Sequence, residues 1–299
     1  MSSLSKPVFA KLDPAYAFDG LFVPTKGTKS RPPLRIPERI FGDYKIGFTG
    51  TEQLGAGDQS IFLAICARAG IDGQTVSPDN QSPLSRSLRE SLELGTNAAT
   101  ESTILTFSTT LTNLAAEAGY AAADSRTEDV KKSLRRLRET NIRAIGPNRW
   151  DTSSRLLNSA FNEATGETRI AINPRQANAI LSGQHVRVSL VERHRLKTEE
   201  AKILHCWLCA NVRLGSPLGV GNGAYVDTLL PHVWGDGQGL ARDVLSNRRI
   251  LLRRALDEIQ EETKSLHADT GGWHVETDGT RGNVLVRVSR PPTLPITEQ

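Results

Sequence analysis

The order of segments between residues 226 and 288 constrains the fold more than any other feature of this sequence. The apolar-patterned segment VDTLLPHVW leads through a glycine-rich turn to SNRRILLRRALDEIQEE, which has the periodicity of an amphipathic helix. Two runs of strand type, GWHVET and NVLVRVSR, follow with a glycine-containing turn between them. Helix, turn, basic helix and hairpin is the order of a winged helix-turn-helix, so we predict that fold here.

The predicted basic helix separates its leucines from its charges. One face carries Leu245, Leu252, Leu256 and Ile259, and the opposite side carries Asn247, Ile250, Arg253, Arg254 and Asp257, with Arg249 on the flank. Arginines near the start of such a helix lie where DNA phosphates or guanine edges would be. We therefore predict that the chain binds double-stranded DNA. The predicted contacts in this region are Arg242, Asn247, Arg248, Arg249, Arg253 and Arg254. Which of Arg248, Arg249 and Arg253 reads bases stays open, and the alternative for the whole face is a solvated surface.

A second copy of the same order lies between residues 108 and 172. STTLTNLAAEAGY predicts a capped helix, and SRTEDVKKSLRRLRETNI predicts a basic helix with Val130, Leu134 and Leu137 inward. On this helix we place Lys132, Arg135 and Arg136 outward and Lys131 on the flank, and we predict all four as DNA contacts. The hypothesis requires the cations of both helices to face one polyanion and not to be held in intramolecular carboxylate pairs.

The fold class predicted from these two copies is α+β, with two tandem winged helix-turn-helix domains. Residues 1–40 are rich in Pro, Ser and basic residues and predict a flexible basic N-terminal arm. The first domain is assigned to residues 41–174, the second to 175–290 and a frayed C-terminal tail to 291–299. Residues 71–101 predict a long loop with one helical turn, and RLGSPLGVGNGA predicts a flexible connector.

Composition limits the class of protein without deciding its partner. A length of 299 residues suits two domains, and a net charge of +4 favours an acidic partner only mildly. Three cysteines, an odd number, indicate a reducing compartment. No apolar run reaches membrane-spanning length, so we expect a cytoplasmic protein with no membrane partner.

Motifs for catalysis are weak in this sequence. Cys206 and Cys209 have redox or metal spacing, but no second pair completes a zinc set, so we predict packed thiols in a helix. GSPLGVGNG lacks the Lys-Ser/Thr of a phosphate-binding loop, and the six histidines are scattered. We therefore expect no catalytic site, no metal and no cofactor.

Several stretches together resemble the RepC-type replication initiators of IncQ-like broad-host-range plasmids. They are Gly20-Leu21-Phe22, FTGTEQLGAGD at 48–58, AINP at 171–174, GQHVRVS at 183–189, TEEAKILHCWLC at 198–209, VDTLLPHVW at 226–234, and the pattern formed by Arg248, Arg249, Arg253, Ala255, Leu256 and Glu258. The resemblance is densest from 171 to 258 and is poor in 71–101 and before Gly20.

The resemblance implies a non-enzymatic protein of two winged-helix domains that binds direct repeats, called iterons, at a plasmid origin. It further implies opening or bending of adjacent DNA and recruitment of the plasmid-encoded helicase and primase. Arg248, Arg249 and Arg253 would contact a groove or phosphates, and Arg187 would contact the DNA backbone at the junction of the modules. The protein would act as a monomer on DNA or as a homodimer.

Two other classes stay open at this point. A winged-helix transcriptional regulator would bind operator DNA as a two-fold dimer on inverted half-sites. A nicking initiator or helicase would need Walker or His-Tyr constellations, and their absence from the sequence weighs against it.

Overall fold

The computed structural model describes residues 7–25, 30–77, 79, 82–92, 103–146, 151–219, 223–236, 239–267, 271–279 and 281–295. The fold is mixed helix and strand. The strands are β1 Phe9–Leu12, β2 Leu34–Phe41, β3 Tyr44–Gly50, β4 Gln74–Val76, β5 Ile104–Thr110, β6 Thr140–Ile145, β7 Asp151–Arg155, β8 Leu157–Phe161, β9 Glu167–Ile172, β10 Val186–Ser189, β11 Ala224–Tyr225, β12 His274–Asp278 and β13 Leu285–Ser289. The helices are α1 Ala56–Asp72, α2 Pro83–Ser91, α3 Leu111–Glu117, α4 Thr127–Arg138, α5 Pro174–Ser182, α6 Leu190–Arg195, α7 Glu199–Asn211, α8 Val226–Trp234 and α9 Arg242–Lys264.

Two parts of the chain share one order of elements. In the first part, β5, α3, α4, β8 and β9 follow α1, and their sheet has the order β4-β5-β9-β8. In the second part, β11, α8, α9, β12 and β13 follow α7, and their sheet has the order β11-β13-β12. In both, the strand before the helix pair lies beside the last strand of the following hairpin, and all pairings are antiparallel.

The first part also contains a hairpin, β6–β7, that the sequence did not predict to belong to a different sheet. β6 and β7 lie between α4 and β8 in the chain, but they pair with β2 and β3 in a sheet of order β2-β3-β6-β7. The predicted long loop over 71–101 was wrong in part, because its described residues include β4, and the single predicted helical turn is the nine-residue helix α2. Residues 78, 80, 81 and 93–101 lie outside the described part of the chain.

The helix boundaries follow local capping chemistry. The Thr110 hydroxyl accepts a hydrogen bond from the Asn113 amide at the start of α3, and Thr198 does the same for the Ala201 amide in α7. α5 has Asn173 as its N-cap and a proline in its first turn, and it ends at Gly183 with φ +79°. Caps of this kind satisfy backbone groups that a helix leaves unpaired.

The prediction of a flexible arm over residues 1–40 was wrong for most of that segment. β1 pairs with β10, so the segment before Gly20 is joined to the second part of the chain. Leu12, Tyr16 and Leu21 are fully buried in the main hydrophobic core. The apolar residues of FAKLDPAYAFDGLF stabilise this segment by burial. The prediction missed them because the segment around them is rich in proline and lysine. Residues 1–6 and 26–29 lie outside the described part.

Two further segments are more ordered than predicted. The connector that begins after α7 is hydrogen-bonded to the last strand, since the Leu218 amide donates to the Val288 carbonyl at 2.7 Å. Pro291 and Pro295 in the predicted C-terminal tail are buried. Among the described residues, no helix combines the length and apolar character needed to cross a lipid bilayer.

The N-terminal segment meets the end of α8 through two glycines. Gly20 has φ +81°, and Gly235 has φ +73° with ψ −170°, a region that is essentially restricted to glycine. A Cβ atom on Gly235 would lie 3.1 Å from the Gly20 Cα. A side chain at either position would therefore require the opposite backbone to shift by a few tenths of an ångström.

We expect Gly235→Ala to lower the free energy of unfolding by about 2 kcal/mol or more, because it adds both backbone strain and a steric contact. Gly166→Ala is the matched control, since Gly166 has φ +68° with open space around it and should lose about 1 kcal/mol. Urea denaturation of the two variants measures the difference. Equal losses would show that the contact between Gly20 and Gly235 contributes nothing.

Candidate nucleic-acid interface

The first ten residues of α9 lie at the surface of the protein. The first buried residue of this helix is Leu252, followed by Ala255, Leu256, Ile259 and Thr263. Residues 242–251 therefore include no buried side chain, although Leu245 packs partly against the core. The predicted division of this helix into a leucine face and a polar face is confirmed by burial. About three turns of basic helix are left on the surface.

The arginines of α9 fall into two groups. Arg242 and Arg254 are exposed, as is Asn247, and among the described residues neither arginine has a carboxylate partner. Arg248 and Arg249 are half-buried and are held by side chains of α8. The Arg248 guanidinium lies 5.5 Å from the centre of the Trp234 ring. The exposed group can therefore meet a ligand without breaking an existing contact.

Arg249 forms a two-point ion pair with Asp227 at the start of α8. Its Nε and Nη2 atoms donate to the two carboxylate oxygens at 2.6 and 2.5 Å. Arg253, one turn later, donates from Nε to the Arg249 carbonyl at 3.4 Å. The pair fixes α9 against α8, so Arg249 is a positioning residue, and its predicted role as a base-reading arginine would require the pair to open.

On α4, the predicted orientation of Arg136 was wrong. Its Nε and Nη2 atoms donate to Asp58 Oδ1 at 3.0 and 2.8 Å, and Asp58 is 0% exposed. Asp58 also accepts from Arg31 Nη1 at 2.5 Å and from the Gly55 amide at 2.8 Å. A buried carboxylate needs charged donors, so the guanidinium turns inward from the side of the helix. Arg136 is therefore not available to DNA.

The other cations of α4 remain on the surface. Val130, Leu134 and Leu137 are buried as predicted. Lys132 is exposed and has no carboxylate partner among the described residues. Lys131 pairs with Glu128 at 2.8 Å and Arg135 pairs with Glu52 at 2.5 Å, both at the solvent surface. Surface pairs of this kind contribute about 0–1 kcal/mol, so a phosphate can replace the carboxylate.

The requirement that the cations be free of carboxylate partners is therefore not met by Arg135 and Arg136 on α4 or by Arg249 on α9. Of the residues predicted to contact DNA, the structure places Lys132, Arg187, Arg242, Asn247 and Arg254 on the surface, Lys131 and Arg135 in surface pairs, Arg248, Arg249 and Arg253 in partly buried contacts, and Arg136 in a buried pair. Arg187 lies on β10, far along the chain from both basic helices, with its guanidinium 5.2 Å from the centre of the Phe9 ring.

The sequence reading missed one cation that the fold presents. Arg281 is exposed in the turn between β12 and β13. The signal was present in TDGTRGN, where an arginine stands in a glycine-containing turn between two strands. Hairpin turns beside a recognition helix often lie near the DNA backbone, so Arg281 belongs to the candidate interface.

The cysteines and histidines form a buried cluster within the second part of the chain. Cys206 and Cys209 are buried free thiols, as predicted. Ligand atoms of Glu192, His205 and Cys209 lie within 4.8 Å of one another, a set that can hold a metal ion. Here the Glu192 carboxylate accepts hydrogen bonds from His205 at 2.8 Å, from His267 at 2.7 Å and from the Trp273 indole at 3.3 Å. The cluster joins α6, α7 and the segment after α9.

The hydrogen bonds to Glu192 change its titration. Burial alone would raise its pKa, but the bonds from His205 and His267 outweigh burial and lower the pKa from 4.5 to about 2. A carboxyl with a lowered pKa stabilises the fold above its unfolded value, and this contribution is lost as the pH falls.

We expect Glu192→Gln to lose about 2 kcal/mol of stability near neutral pH, because the buried donors lose their anionic acceptor. The difference between the wild type and the variant should stay constant from pH 4.5 to about 6.5 and shrink as the pH falls towards 2. Above pH 6.5 it should also begin to fall, because Glu192 helps to raise the pKa of His205. Urea denaturation between pH 3 and 7 measures it. A difference that does not depend on pH would contradict an ionised Glu192.

The two roles found on α4 are separable by mutation. Arg136→Ala should lower the free energy of unfolding by about 3 kcal/mol, because it leaves Asp58 with one cation fewer in a buried site. Lys132→Ala should change stability by less than about 0.5 kcal/mol, because the side chain is exposed. Thermal and urea denaturation test the pair. An Arg136→Ala variant as stable as the wild type would show that the Arg136 side chain lies on the surface.

Comparison with known proteins identifies the class of this chain. The family model described as replication protein C (RepC) matches residues 8–275, which is most of the sequence. The match identifies a protein of DNA replication and supports a replication initiator. The chain belongs to the RepC family.

Similarity to solved structures and to curated protein sequences is weaker. A solved structure of selenomethionine derivatives of domain 2 and domain 3 of RctB aligns with a TM-score of 0.46 and 11% sequence identity, covering 94% of this chain and 99% of that one. No curated protein sequence matches this chain significantly.

Proposed function

We propose that this chain initiates replication of an IncQ-like plasmid by binding direct repeats at the origin. Two winged helix-turn-helix modules would bind the repeats, and the bound protein would open or bend adjacent DNA. It would then recruit the plasmid-encoded helicase and primase, acting in the cytoplasm without catalysis of its own. Membership of the RepC family supports the initiator role.

The strand order supports two winged modules. A winged helix consists of a first helix, a strand, two further helices and a hairpin whose last strand lies beside the first strand. α7, β11, α8, α9, β12 and β13 have this order, and α1, β5, α3, α4, β8 and β9 have it as well. In this interpretation α4 and α9 are the recognition helices, and β4 together with the β6–β7 hairpin are additions to the first module.

The observation that carries the DNA-binding proposal is the surface formed by the first ten residues of α9. These residues of basic helix include no buried side chain, so most of them are not needed to fill the core, and a helix of this diameter fits the major groove. Exposed Arg242 lies at its start, exposed Arg254 lies twelve residues further along the same helix, and Arg281 lies in the turn between β12 and β13. On α4, Lys132 is exposed and Lys131 and Arg135 are in surface pairs, so we expect both helices to contribute phosphate contacts.

A transcriptional regulator is the second candidate, since it would use the same helix. It would bind inverted half-sites as a two-fold dimer, whereas an initiator of this type binds direct repeats. Footprints over direct repeats support the initiator, and footprints over inverted repeats support the regulator.

A mobility-shift titration at about 150 mM salt tests the proposal, because phosphate contacts make affinity depend on salt. We expect the full chain to bind an origin fragment with direct repeats more tightly than a scrambled duplex. Equal affinity for the two duplexes would contradict the proposal.

Charge variants locate the interface within α9. Arg242→Gln should weaken origin binding about tenfold and, if it contacts a phosphate, reduce the log–log salt slope by about 0.9. Lys264→Gln is the matched control, because Lys264 is exposed at the opposite end of the same helix. Equal losses in the two variants would show that net charge, and not the first ten residues of α9, determines binding.

A further inference from the structure

We infer that Ile250 is a specificity-determining residue whose side chain contacts the 5-methyl group of a thymine in the origin repeats. The inference rests on the proposed function and adds to it the chemistry of one base contact. Ile250 is the only large aliphatic side chain on an exposed stripe of α9 formed by Asp243, Asn247, Ile250, Arg254 and Asp257.

Ile250 is exposed at a position where its side chain contributes little to the core. Its side chain is 39% exposed, and it lies within the half of α9 that has no buried residue. A branched aliphatic side chain on a solvated helix face lowers helix propensity and gains nothing from core packing. A solvated face would favour a polar residue at this position.

The neighbours of Ile250 define a stripe along the helix. Asn247 lies one turn before it and Arg254 one turn after it, and both are exposed. Asp243 and Asp257 continue the exposed stripe at its two ends. The half-buried arginines Arg248 and Arg249 lie to the side and contact α8. Ile250 is therefore at the centre of the surface that the helix would turn towards a groove.

The chemistry of the major groove identifies what this side chain can read. Of the four bases only thymine presents a methyl group there, and apolar side chains contact it. Asn247, at the adjacent position on the stripe, has an amide of the type that pairs with the N6 and N7 atoms of adenine. Asn247 and Ile250 are neighbours on the stripe, and the side chains of both suit A·T base pairs. We therefore assign to Ile250 an apolar contact with thymine.

Replacing thymine by uracil in the DNA removes only the methyl group and tests this contact. We use the full chain and two duplexes of the origin repeats, one with thymine and one with deoxyuridine. The wild type should bind the deoxyuridine duplex about fourfold more weakly for each methyl group that it buries. Ile250→Ala should bind both duplexes with nearly equal affinity. Single thymine-to-uracil replacements then locate the base.

Val244→Ala is the matched control. Val244 is also 39% exposed and lies on the same half of α9, about 120° around the helix from Ile250. This variant should keep the wild-type ratio of affinities for the two duplexes. If the wild type prefers the origin over scrambled DNA but Ile250→Ala has the wild-type ratio of affinities for the thymine and deoxyuridine duplexes, the inference is overturned. The proposed function is not affected by that result. A change of oligomeric state in Ile250→Ala with an unchanged ratio would also overturn the inference. Wild type without preference for the origin would contradict the proposed function itself.

Discussion

The buried carboxylate of Asp58 is the interaction on which the arrangement of the first module depends. It lies in the first turn of α1 and binds Arg31 from the N-terminal segment, Arg136 from α4 and the amide of Gly55. An anion removed from water is tolerated only when charged donors surround it. Arg31 and Arg136 come from separate parts of the chain, and Gly55 is the N-cap of α1 itself, so the ion cluster fixes the N-terminal segment and α4 against the start of α1.

The same turn of α1 is also bound from the side of α6 and α7. Arg193 of α6 is fully buried, and it donates to the Ala56 carbonyl at 3.2 Å, to the Ser60 hydroxyl at 3.3 Å and to the Lys202 carbonyl in α7 at 2.6 Å. Burial lowers the pKa of Arg193 to about 10. Residues 56–60 therefore hold α4 through Asp58 and α6 and α7 through Arg193, and we interpret them as the junction that orients the two modules.

This junction uses one of the predicted DNA contacts on α4. Arg136 is bound in the junction, whereas Lys132 and Arg138 have no carboxylate partner among the described residues, and Lys131 and Arg135 are in surface pairs. On α9, Arg249 is bound to Asp227 of α8, while Arg242 and Arg254 are exposed. Each helix therefore divides its cations between contacts that position it and side chains that lie on the surface.

The sequence predicted features that depend on local periodicity and missed those that depend on distant partners. The inward faces of α4 and α9 follow from the spacing of their leucines, and both are confirmed. Periodicity could not show that Arg136 has a partner 78 residues away in the chain. The order in residues 9–21 was hidden for a related reason, because β1 is stabilised by pairing with β10. Scattered histidines likewise gave no sign that His205 and His267 both contact Glu192.

Hydroxyl-radical footprinting of the full chain on one origin repeat tests most directly whether the junction presents both modules to the same duplex. The account predicts two protected tracts about one helical turn apart, with Lys132→Ala weakening one tract and Arg254→Ala the other. A single protected tract, or loss of the same tract in both variants, would contradict it.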